Sequence, residues 1–76
     1  LSREIRSEAS YNLAEALREQ KRTLDAIPMY LKAIEAEPQE ERWVMPWSYY
    51  RIAEIYYNAG KYDLSRSYIE KAKVFN

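Results

Sequence analysis

The chain has 76 residues, with 12 Lys and Arg against 12 Asp and Glu, and neither histidine nor cysteine. This length gives one small domain with a modest core. The zero net charge argues against a nucleic-acid binder, which carries a basic excess.

Without histidine or cysteine, the usual ligands of zinc, haem and iron–sulfur clusters are missing, as is the commonest general base. The single glycine cannot build a phosphate-cradling loop. Carboxylate pairs such as Glu15 and Glu19 read as solvated helix charges. No cofactor, no metal and no enzymatic activity are therefore expected. The longest uncharged stretch, Trp43 to Tyr50, is too short and too polar to span a membrane. No signal-peptide pattern opens the chain, so an intracellular location is expected. The first residue is not methionine, which suggests a fragment of a longer protein or a processed chain.

Leu1, Ile5, Ala9, Leu13 and Leu17 recur every four residues and form one helical stripe. The first helix is predicted from about Ser2 to Gln20, followed by a turn at Lys21 to Thr23. The second is predicted from Thr23 to Glu37, burying Ala26, Ile27, Tyr30, Ala33 and Ile34. Pro28 is awkward within it: either Asp25 is the N-cap and Pro28 sits in the first turn, or the helix kinks near Leu24. Pro38 ends the helix. Pro46 suits the first turn of a third helix, predicted from Pro46 to Asn58, with Gly60 as its left-handed stop. The fourth is predicted from Lys61 or Tyr62 to Val74.

One spacing occurs twice. Ala14, Ala26, Ala33 and Pro38 are separated by 12, 7 and 5 residues; Ala53, Ser65 and Ala72 repeat the 12 and the 7. Small residues mark close helix–helix approach, so the pattern is that of a repeated antiparallel helix pair. Tyr11 to Leu17 resembles the first helix of the tetratricopeptide repeat, and Thr23 to Pro38 its second helix and closing proline; Tyr50 to Asp63 resembles the first helix together with the turn glycine, Gly60, and the aromatic that follows it, Tyr62. Lys21 stands where the family has a turn glycine, and Thr23 where it has an aromatic.

The resemblance implies an all-α fold of two such helix pairs stacked as a short right-handed solenoid. Repeat 1 is placed at about 7–38, an insertion at 39–45 and repeat 2 at 46–76. The insertion arises because Ala14 and Ala53 lie 39 residues apart, five more than the family's usual period of about 34.

In this family the first helix of each repeat lines a concave groove that receives peptides. Here the resemblance assigns to that groove Tyr11, Glu15 and Arg18 from the first repeat. Trp47, Tyr50, Glu54, Tyr57 and Asn58 come from the second. Glu15 and Glu54 would lie side by side among tyrosines, suiting a neutral to basic protein or peptide with apolar anchors. Chaperone-binding relatives hold a carboxylate terminus with Lys and Asn where this chain has Tyr11 and Glu15, so that function does not carry over. Single tyrosines here read equally well as half-buried helix surface. Trp43 and Met45 either tuck over the junction of the second and third helices or offer a second anchor.

Two repeats leave uncovered ends, assigned to Leu1 and Ile5 on one side and Tyr68 and Phe75 on the other. A homodimer is the expected consequence. The leading function is a protein-binding scaffold. The alternatives are a structural self-association unit, natural or engineered, and the C-terminal repeat segment of a larger regulatory protein.

Overall fold

The computed structural model describes residues 2–75. Four helices follow one another: α1 (Arg3–Glu19), α2 (Thr23–Glu35), α3 (Val44–Asn58) and α4 (Tyr62–Lys73). α1 packs against α2 and α3 against α4, and the pairs stack chiefly through α2 on α3, with α1 also touching α3. No described helix is long and apolar enough to cross a membrane.

The small residues of the repeat lie where backbones meet. Ala14, Ala26, Ala33 and Ala72 are fully buried, as is Pro38, and Ala53 and Ser65 are nearly so. One core cluster joins the two repeats, with Ala14, Tyr30 and Ile34 from the first pair meeting Val44, Ile52 and Ile55 from α3. Two buried hydroxyls link the helices of each pair. Ser7 donates to the Ala33 carbonyl at 2.9 Å and Ser65 to the Ala53 carbonyl at 2.8 Å. Each satisfies itself inside the protein instead of carrying an unpaired donor into the core.

Helix ends differ from expectation by two residues in two places. α2 stops at Glu35, and Glu37 turns left-handed (φ 48°) just before Pro38. Its N-cap is Arg22, so Asp25 does not cap it and Pro28 lies inside, as the sixth residue of the helix. Pro28 has no N–H to return to Leu24; Leu24 is exposed, on the water-facing side of the helix. α3 starts at Val44 instead of Pro46. Part of the insertion has thus become an extra first turn of α3, with Pro46 still inside that turn, where a missing N–H costs little.

Both pairs use one turn. In the first, the Lys21 N–H reaches the Arg18 carbonyl and the Arg22 N–H the Leu17 carbonyl, at 3.0 and 2.9 Å. In the second, Gly60 reaches Tyr57 and Lys61 reaches Tyr56, at 3.0 and 2.8 Å. This is the two-bond left-handed helix stop. Lys21 adopts φ 66° and Gly60 φ 79°. Nothing lies within 4 Å of a Cβ built on Gly60, so a side chain there meets only backbone strain.

Lys21→Gly is expected to stabilise the protein by about 0.5–1 kcal/mol, the left-handed penalty relieved less the added chain entropy. Gly60→Val is expected to cost on the order of 1 kcal/mol or more. Urea unfolding midpoints measure both. A loss at Lys21→Gly would contradict a shared turn.

Candidate functional site

The assigned groove residues fall into two groups. Tyr11, Glu15 and Arg18 form a floor that α3 partly covers, whereas Trp47, Tyr50, Glu54, Tyr57 and Asn58 stand exposed on α3. Tyr11 is only 9% exposed and belongs to the core, so it offers a partner little surface. Its ring meets Tyr30 edge-on at 5.7 Å and Trp43 edge-on at 5.3 Å. Burial, and next the Glu15 carboxylate, push the Tyr11 phenol above its ordinary range.

Glu15 is the centre of the floor. Its Oε1 accepts a hydrogen bond from the Tyr30 hydroxyl at 2.7 Å and another from Arg51 Nε at 3.1 Å, and its Oε2 accepts from Arg18 Nη2 at 3.0 Å. Glu54 lies within 3.9 Å of Arg18 and 3.7 Å of Arg51. The two glutamates do sit together, but two arginines lie between them. The floor is charge-balanced, not acidic. The groove assignment included Arg18 without pairing it with a glutamate and did not include Arg51. The only sequence signal was the i, i+3 spacing of Glu15 with Arg18 and of Arg51 with Glu54.

Burial raises the pKa of Glu15, but bonds from Tyr30 and Arg18 and the charge of Arg51 together outweigh it, and the carboxyl ends below its ordinary 4.5. Burial and the same carboxylate push the Tyr30 phenol up.

The exposed aromatics make a ridge along α3. Trp43 is 46% exposed and Trp47 50%, with Tyr50 beside Trp47 edge-on at 6.4 Å. The Arg51 guanidinium lies over the Trp47 ring at 5.7 Å, so the charged floor and the ridge touch. Trp43 rests edge-on against Tyr11 of α1. Acidic residues flank its end of the ridge. Glu41 is pushed up, first by the charge of Glu8 and also by Glu4 and Glu40. Glu4 in turn accepts the backbone N–H groups of Gln39 and Glu40 at 2.8 and 3.3 Å, which pins the insertion to α1.

The assigned ends divide as well. Ile5 is 54% exposed on α1. Tyr68 and Phe75 instead pack inward: Tyr68 stacks on Tyr56 at 5.7 Å and Phe75 on Tyr49 at 6.0 Å, covering the α3–α4 seam. Leu1 lies outside the described residues.

Stacked helix pairs with small residues at the contacts and an exposed face on the first helices define a helical repeat protein. A tetratricopeptide repeat model matches residues 7–40 and 48–73. The chain belongs to the tetratricopeptide repeat family, a family of protein–protein interaction modules whose members are typically non-enzymatic scaffolds. No curated protein and no solved structure matches it.

Glu15 has a depressed folded-state pKa, so its stabilisation is fully present above its ordinary pKa near 4.5 and is lost as pH falls through the lower folded value. Glu15→Gln is expected to cost about 1–2 kcal/mol at neutral pH, because it weakens charge-assisted bonds to Arg18 and Arg51. Below the folded pKa the wild-type carboxyl is neutral too, and the gap should close. Urea melts of both proteins from pH 7 to pH 3 give the difference; a gap independent of pH would contradict the network.

Proposed function

We propose that this chain binds a peptide segment or partner helix of neutral to basic character along the ridge of α3 and the adjoining face of α1. The exposed run Trp43, Trp47 and Tyr50 is the observation that carries this reading. Exposed tryptophans on one helix face are the commonest binding anchors, since a large rigid ring buries area with few torsions to freeze. The ridge lies on the first helix of the second repeat, the face this family turns toward peptides.

The preference for a basic partner rests on the acids around Trp43. Glu8, Glu4, Glu40 and Glu41 crowd one another enough to raise Glu41, and a Lys or Arg of a partner would relieve that crowding. Glu15 contributes little, since its charge is already matched. Glu54 is half-exposed and adds a second acceptor next to Tyr50. An acidic tail meets like charge at the Trp43 end.

Binding is followed by tryptophan fluorescence against a library of peptides that vary in charge and apolar anchors. A basic-apolar peptide is expected to bind, and Trp47→Ala to weaken it by about tenfold or more. Glu8→Gln with Glu41→Gln should weaken it less, by an amount that shrinks as salt rises. Preferential binding of acidic peptides would overturn the reading.

A further inference from the structure

Residues of repeat 1 map onto repeat 2 by adding 39, the separation of Ala14 from Ala53. Inside the chain, α3 is seated on the first pair through buried Val44, Ser48, Ile52 and Ile55. Its bed is formed by Tyr11, Ala14, Ala26, Ile27, Tyr30 and Ile34, all buried.

Subtracting 39 carries the seating face of α3 onto Ile5, Ala9, Leu13 and Ala16 of α1. All four are exposed, Leu13 by 50%. Adding 39 carries the bed onto α3 and α4. There Tyr50, Ala53, Glu54, Tyr57, Ser65 and Ile69 line an open groove of about 210 Å³, which Tyr62 and Arg66 extend. Among the described residues, both halves of the internal interface thus occur a second time, and no further helix is laid on either.

We propose that the α3–α4 groove receives α1 of a second copy of this chain, head to tail, in the geometry with which α3 sits on the first pair. This groove shares Tyr50 and Glu54 with the ridge but lies on the α4 side of them, away from Trp43 and Trp47, and its occupancy does not depend on the ridge's function. Continuity with the internal interface names the occupant. Leu13 takes the place of Ile52, Ala9 that of Ser48 and Ala16 that of Ile55, each no larger than the residue it replaces, and Ile5 exceeds Val44 by one methylene.

The intermolecular version is weaker than the internal one. Where Glu15 meets Arg51 inside the chain, Glu54 of one copy would meet Asn12 of the next, a hydrogen bond in place of an ion pair. Ile27 and Ile34 are replaced in the bed by Arg66 and Lys73. Association is therefore reversible, with a dissociation constant on the order of 0.1 mM. Because head and tail are different surfaces, the contact does not close on itself, and species grow one subunit at a time.

Two one-ended variants test this. Leu13→Glu blocks the head and Ile69→Glu the tail. Sedimentation of the wild-type chain should show mass rising with concentration up to about 1 mM. Each variant alone should stay monomeric, and an equimolar mixture should form a 1:1 dimer that grows no further. Circular dichroism checks that both remain helical. Should Ile69→Glu unfold, Tyr57→Asp on the exposed rim of the same groove replaces it. A wild-type chain monomeric at 1 mM would overturn the proposal. So would a mixture that stays monomeric, or a closed wild-type dimer that either variant alone still forms.

Discussion

One carboxylate holds the architecture in register. Glu15 projects from α1 and is bonded at once by Arg18 of its own helix, Tyr30 of α2 and Arg51 of α3. Drawing a carboxylate out of water is costly, and the cost is recovered only when its lone pairs are filled and its charge is met. All three donors must be in place for that, so the position of α3 on the first pair is coupled to the ionised state of a single side chain. Apolar packing of Val44, Ile52 and Ile55 supplies the adhesion. It is non-directional, and the Glu15 network adds the direction.

The same constraint shapes the surface. Arg51 reaches Glu15 from below Trp47 and stacks on its ring. This fixes one wall of the ridge, while Tyr11, buried beneath Trp43, fixes the other end. Two aromatic side chains are thereby held outward on a rigid helix, at little further cost in side-chain entropy on binding. The charge that would make an acidic groove is spent internally, and the free acids lie instead along α1 and the insertion. On the proposed reading, the recognition surface therefore lies toward the start of α3 and not in the cleft between the first helices.

Much of this was legible in the chain. The spacing of small residues located the close contacts within each helix pair, because a small residue at a backbone crossing has no substitute of larger volume. Gly60 was legible because a left-handed stop favours glycine; Lys21 in the same conformation was visible only as a departure from that pattern. The start of α3 was hidden because Pro46 fits any position of a first turn, and Val44 gives no signal of its own. Tyr11 was read as groove lining because a tyrosine on that face is compatible with floor or rim, and the deciding partner, Trp43, lies in the insertion. Tyr68 and Phe75 were read as open ends for a similar reason: only the coordinates show that Tyr49 and Tyr56 lie opposite them. Pairing Glu15 with Arg51 needs the distance between two residues 36 apart in sequence on different helices, which periodicity within one helix does not carry.

The central claim is that the Glu15–Arg51 bond couples the two helix pairs. A double-mutant cycle with Glu15→Gln and Arg51→Met, read from urea unfolding at pH 7 and low salt, measures that coupling directly. The account predicts an interaction energy of about 1 kcal/mol or more between the two sites. Effects that add to within about 0.3 kcal/mol would show that the two pairs stack without this bond and would contradict it.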